Sequence, residues 1–227
     1  MENVVRVLST LALKGAMDRL AGQYREIAAT RIDAHFAPTL GLMERLRRGE
    51  EADVVILTRE GLQELLAVGA VAAGSEVNLA RSYVGIAVKA GGVHPDIATE
   101  VSLRKTLLAA RSVAYSRIGA SGIFFAGLLG RLGIAPEING KATITSGFTA
   151  EQLITGEADL AVQQLSELKQ VSGIEIVGPI PYELQTPAIF SAGRMVSSKQ
   201  AEQADTLLRF LASREVAPTL RESGLEP

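Results

Sequence analysis

Apolar positions in the first third of the chain fall into short runs separated by segments of helical period. Val4 to Leu8 reads as a strand, Lys14 to Ile27 as an amphipathic helix, Arg31 to Phe36 as a strand and Leu40 to Arg48 as a helix. Asp53 to Leu57 follows as a buried strand and Glu60 to Ala67 as a helix. Short apolar runs alternating with amphipathic stretches predict βαβ units around a mostly parallel sheet. Ser75 to Leu79 breaks the rhythm, and Tyr83 to Val88 is a strand ending in a Gly- and Pro-rich loop, Lys89 to Pro95.

The pattern then restarts. Ser112 to Tyr115, Ala142 to Thr145 and Leu160 to Gln163 read as strands, with helices at Ile123 to Leu132 and Ala150 to Gly156 between them. Gly178-Pro179-Ile180-Pro181 precedes a strand at Ala188 to Ser191 and two terminal helices, Lys199 to Ala212 and Glu215 to Glu222. The expected organisation is α/β and two-lobed: residues 1–82 with 184–227 as one lobe, 83–183 as the other, and crossings near 81–88 and 179–187. A chain of 227 residues has room for both cores.

Composition narrows the function classes. With 47% hydrophobic and 21% charged residues the chain is globular rather than disordered. A net charge of -2, 4% aromatics and no Trp argue against a nucleic-acid surface, which needs a basic stripe and stacking platforms. Without Cys there are no disulfides, thiolate metal sites or Cys nucleophile. No apolar run approaches the roughly 18 residues of a membrane span, so no direct membrane insertion is expected. Met1-Glu2-Asn3 leads straight into the first strand without a basic region or cleavage site. The expected compartment is therefore the cytoplasm, or the periplasm if a leader has been trimmed away.

In open parallel sheets ligands sit beyond the carboxyl ends of strands, where helix N-termini offer free N–H groups. Five turns carry hydroxyls or Gly there: Ser9-Thr10, Pro38-Thr39, Ser116 to Gly122, Ser146-Gly147-Phe148-Thr149, and Gln163-Gln164-Leu165-Ser166. Each by itself reads equally as helix capping, and Thr149 with Gln152 has capping-box spacing. Together they suit a small oxyanion or carboxylate held by neutral donors. Arg81 and Arg117 are the charged candidates, with a surface role as the plain reading of each. His35 and His94 lack metal-ligand spacing, so no metal and no cofactor is expected. The matched segments ending in Asp53 and Asp159 read as strand starts rather than as a paired acid and base.

These segments, in order, resemble the molybdate-binding-protein-like branch of the type II periplasmic (solute) binding proteins. The resemblance runs through Val7-Leu8-Ser9-Thr10, Arg48 to Leu57, Leu79-Ala80-Arg81-Ser82, Tyr115-Ser116 with Ala120-Ser121-Gly122, Gly156 to Asp159, Gly178 to Gln185 and Gly224 to Pro227. It implies a type II periplasmic-binding-protein fold, each lobe a mostly parallel sheet flanked by helices, with a small anion held between the lobes. By position the resemblance puts ligand contacts on Ser9 or Thr10, on Thr39, and on the Ser121-Gly122 and Phe148-Thr149 turns; Arg81, Ser116 and Gln163, read from the turns and charges themselves, complete the expected set. Two departures, Pro38 in the second turn and Gln163 or Gln164 where molybdate binders commonly carry a tyrosine, weigh against molybdate itself. The partner implied is a small anionic ligand, with a transporter only if the chain is exported.

Three functions compete. The first is a binding module closing on an oxyanion or organic acid. The second is a cytoplasmic isomerase of a small polycarboxylate, similar to aconitate isomerases, which needs a general base from among Tyr115, His35, Asp53 and Glu167. The third, a ligand-sensing domain, would require a partner because the chain has no DNA-binding segment.

Overall fold

A computed structural model describes residues 3–227; Met1 and Glu2, from which the first lobe and the reading of the chain start were drawn, lie outside the described residues. In chain order the elements are β1 (Asn3–Ser9), α1 (Lys14–Ala28), β2 (Thr30–Phe36), α2 (Thr39–Arg47), β3 (Val54–Thr58), α3 (Arg59–Ala67), β4 (Val77–Ser82), β5 (Val84–Lys89), α4 (Glu100–Ala109) and β6 (Val113–Tyr115). There follow α5 (Ala120–Arg131), α6 (Ala135–Asn139), β7 (Ala142–Ile144), α7 (Glu151–Thr155), β8 (Leu160–Gln164), α8 (Leu165–Leu168), β9 (Ile174–Pro179), β10 (Ala188–Arg194), α9 (Ala201–Leu211) and α10 (Ala217–Glu222). They form two compact units, Met1–Ser82 with Ala188–Pro227, and Tyr83–Pro187.

The return crossing falls at Pro187–Ala188 rather than at 183–184. The buried side chain of Gln185 is the reason: it accepts from Val84 N–H at 2.9 Å and donates to the carbonyls of Val84 and Ile180, fastening 184–187 to the second unit.

The first unit is a sheet in the order β2-β1-β3-β10-β4. β1 is parallel to β2 and β3, whereas β10 is antiparallel to both β3 and β4. Four strands therefore point one way and β10 opposes them, so the sheet is mixed. β1 and β3 read as continuous apolar runs because helices cover both faces. Val5, Val7, Val54 and Ile56 pack with α1 and α9, while Leu8, Val55 and Leu57 pack with α2 and α3.

The second unit repeats the plan as β7-β6-β8-β5-β9. β6 is parallel to β7 and β8, and β5 is antiparallel to β8 and β9. In both units the opposing strand is the first element after a crossing.

The sequence pattern did not show β4, α4, α6, α8 or β9. α4 is capped by a reciprocal Thr99–Ser102 box instead of the Glu or Gln that marks a helix start in sequence. β9 is a strand whose closing Gly178 and Pro179 read as a turn. The expected Thr149–Gln152 capping box does not form, because the Thr149 hydroxyl is engaged by Gln163 and the Val162 carbonyl.

Candidate functional site

In the first unit, the turns after β1 and β2 lie at one end of the sheet. At that same end β4 leaves the unit and β10 enters it, with Ala188 paired to Ser82 and Phe190 to Thr58. Ser9 is buried and its hydroxyl donates to the Thr10 carbonyl, so it is consumed locally. Thr10 is different. Its N–H donates to Ile56 O, but its Oγ1 is buried without a hydrogen-bond partner. A hydroxyl hidden from water and left unmatched costs roughly 1–3 kcal/mol; among the described residues Thr10 Oγ1 shares this state with Arg6 Nε and the hydroxyls of Ser166, Ser213 and Ser223.

Thr39 opens α2, behind an N-cap residue, Pro38, that offers no side-chain cap. Its N–H and that of Leu40 have no acceptor among the described residues, as expected for an uncapped helix start. Arg81, expected to present a donor fork to a carboxylate, is half-exposed and engaged: its backbone bridges Glu226, and its Nε donates to Glu226 Oε2 at 2.7 Å.

The second unit carries its own set, again at the end where its crossings lie, since Val84 pairs with Gln164 and Gly85 with Pro179. Ser116 Oγ accepts from the N–H groups of Ile118 and Gly119, which shapes the turn and occupies its lone pairs. That leaves the N–H groups of Ala120 and Ser121, first in α5, without acceptors among the described residues. Ser121 is buried. Gly122 is dictated by packing: a Cβ there would lie 1.5 Å from the Ser116 carbonyl oxygen. Arg117, exposed on the same turn, has no ion-pair partner among the described residues.

Thr149 and Gln163, both expected as ligand contacts, are bonded to each other. Gln163 Oε1 accepts from Thr149 N–H at 2.7 Å and from its hydroxyl at 3.0 Å, and Gln163 Nε2 donates to Gly147 O at 3.2 Å. Gln163 thus clamps the 147–149 turn. The group left open there is the N–H of Phe148, which has no acceptor among the described residues.

The candidate bases separate cleanly. Tyr115 is a core residue, its hydroxyl donating to Asn139 and its ring edge-on to Phe125. His35 pairs with Asp33 on the edge strand β2. Asp53 sits at the opposite end of the sheet, where Oδ2 accepts from Arg6 N–H and Oδ1 from Ser198. Asp159 does the same for Arg111 N–H in the second unit, so both mark strand starts. Glu167 remains. It is buried on α8, just past the β8 carboxyl end, and loss of solvent pushes its carboxyl up to about 7 against hydrogen bonds from Gln164 N–H and the Gln163 side chain. The adjacent Ser166 Oγ is buried and unpartnered.

Sequence reasoning expected free N–H groups at these helix starts but did not tell the open ones from those that are bonded locally. Their sequence signal is an uncapped helix start, as at Pro38 and Gly119, where the preceding residue has no side-chain acceptor. Among the described residues no group of three or more His, Cys, Asp and Glu is placed to hold a metal, and no helix is long and apolar enough to cross a membrane.

Among proteins of known function, an aconitate isomerase from a Pseudomonas species is 36% identical over 228 residues, covering 97% of this chain and 87% of that protein. The periplasmic molybdate-binding protein of Azotobacter vinelandii superposes with a TM-score of 0.83 at 17% identity, over 98% of this chain and 99% of its own. The sulfate-binding protein of Mycobacterium tuberculosis gives 0.79 at 13% identity, over 99% and 87%. At such identities the two structures establish the type II binding-protein fold. The family model described as bacterial extracellular solute-binding protein matches residues 5–226, and with turns of open donors at the carboxyl ends of both sheets the chain belongs to that solute-binding family.

Proposed function

We propose that the chain binds a small organic polycarboxylate through neutral donors at its strand-to-helix turns. The observation that carries the reading is the buried, unmatched Thr10 hydroxyl, found at the same end of the sheet as the uncapped start of α2. The second unit by itself carries a like set, the open N–H groups of Ala120, Ser121 and Phe148, with Arg117 exposed on the Ser116–Gly122 turn. An anion taken out of water must recover its hydrogen bonds from fixed donors, and backbone N–H groups do this without a full countercharge. A carboxylate is preferred over molybdate or sulfate because the 36%-identical relative acts on aconitate, whereas the molybdate- and sulfate-binding proteins stand at 17% and 13%. If the chain is exported, a membrane transporter is the partner this reading calls for.

A second reading, isomerisation of the bound carboxylate, is favoured by Glu167, a buried carboxyl with its proton affinity near neutrality. One panel tests both. Ligand at 100 times its dissociation constant stabilises by roughly 2.7 kcal/mol, so melting curves with molybdate, sulfate, citrate, cis-aconitate and trans-aconitate should shift for the carboxylates. NMR of cis-aconitate with the protein then reads conversion. Binding without conversion supports the first reading and turnover the second. No shift with any of these anions overturns both.

A further inference from the structure

The Gln163 clamp joins a buried carboxyl to the 147–149 turn. On one side Gln163 Oε1 holds Thr149 N–H and hydroxyl; on the other, its amide donates to the Gly147 carbonyl, and its side chain opposes the rise that burial gives the Glu167 carboxyl. Glu167 Oε2 also accepts from Gln164 N–H at 3.3 Å, and the residue is only 8% exposed. The unmatched Ser166 hydroxyl beside it adds a buried polar group with no protein partner. We propose that Glu167 is a positioning residue that acts through Gln163 on the 147–149 turn, so that binding of a carboxylate there is accompanied by proton uptake at Glu167. This rests on the anion-binding reading above.

The physical reason is charge. An ionised Glu167 places a negative charge in a poorly screened interior behind the turn that receives the anion, and like charges raise one another's proton affinity. Binding and proton uptake are then linked reciprocally. Among the described residues, the charged groups on the elements packed against α8 are engaged elsewhere or exposed. Lys89 on β5 is exposed and donates to Ile154 O, Glu175 on β9 is exposed and bonded to Gly91 and His94, β8 carries no titratable side chain, and Lys169 follows α8 on the surface. Burial dominates the carboxyl's shift and only Gln164 and Gln163 oppose it.

The sign follows. The free protein carries Glu167 ionised above about pH 7 and must recruit a proton on binding, so affinity falls as pH rises past that point. For one fully linked proton the dissociation constant rises by up to about tenfold per pH unit.

Titration calorimetry with trans-aconitate, run at pH 6 to 9 in two buffers of different ionisation enthalpy, counts the protons taken up. The ligand's own ionisation is common to wild type and Glu167→Gln, so their difference isolates Glu167. Wild type should take up close to one more proton than Glu167→Gln at pH 8, and the variant's affinity should vary less with pH than that of wild type. Equal proton uptake and parallel profiles overturn the inference while leaving anion binding intact. Should Glu167→Gln fail to fold, wild-type proton uptake measured at pH 6 and pH 8 decides alone: an increase at pH 8 beyond the ligand's own proton change, measured free in the same buffers, supports the inference, and none overturns it. If trans-aconitate, cis-aconitate and citrate all fail to bind wild type, the anion-binding reading falls and this inference with it.

Discussion

Replacing Thr10 with Val should make the ligand-free protein more stable and its ligand binding weaker. The two side chains have the same shape, and the backbone at residue 10, φ -63° and ψ 153°, is extended and suits a β-branched residue. The N–H bond to Ile56 O is untouched. What changes is the hydroxyl, which is buried and has no partner. Removing an unmatched buried hydroxyl returns about 1–2 kcal/mol, a rise in melting temperature of roughly 2–8 °C for a chain of this size. If the same hydroxyl bonds an anionic ligand, its loss costs about 1.5–3 kcal/mol of binding, or roughly 10- to 150-fold in affinity. Thermal denaturation without ligand and calorimetry with trans-aconitate read the two effects separately. A variant with an unchanged or lower melting temperature and wild-type affinity would refute the argument, since the hydroxyl would then be neither costly in the free protein nor used in the bound one.

Gly122→Ala puts a Cβ 1.5 Å from the Ser116 carbonyl, so α5 or the turn must move; urea denaturation should show a loss of about 3 kcal/mol or more, with weakened ligand binding. Arg81→Ala removes only a half-exposed pair with Glu226, and affinity should stay within about twofold while stability changes by under about 1 kcal/mol. Glu50 is held down to about 2 by the guanidinium groups of Arg45 and Arg6, below its ordinary 4.5. A depressed carboxyl contributes stability that is full above about pH 4.5 and disappears as pH falls toward 2. Denaturation at stepped pH should therefore show wild type converging on Glu50→Gln in that window; a gap that stays constant from pH 6 to 2 contradicts it.

The alternating pattern made the strand-to-helix order visible because β1, β3, β6 and β8 are central strands whose apolar runs stand out on their own. Strand direction was less visible: nothing local to Val84–Lys89 or Ala188–Arg194 says that these strands oppose their neighbours, since that depends on where the chain crosses. The turns were legible for a similar local reason, as hydroxyls and glycines beside helix starts. Which hydroxyls are free was not. Thr149 and Thr10 look alike in sequence, but one meets Gln163, fourteen residues downstream, and the other meets nothing. Arg81 was read as a cleft donor because Glu226, its partner, lies 145 residues away.

The exchange of opposing strands has a consequence for synthesis. The second unit is made of one continuous stretch, Tyr83–Pro187, and every strand of its sheet lies within it. The first unit is not continuous: when Ser82 has been made, β3 and β4 still lack the strand that sits between them, and that strand is Ala188–Arg194. On a ribosome the second unit can therefore close its sheet while the first still shows two bare strand edges, which are templates for pairing with other chains. The unit begun first is finished last, and a chain truncated just after Pro187 should aggregate through β3 and β4 even though its later-made half has every strand of its own sheet.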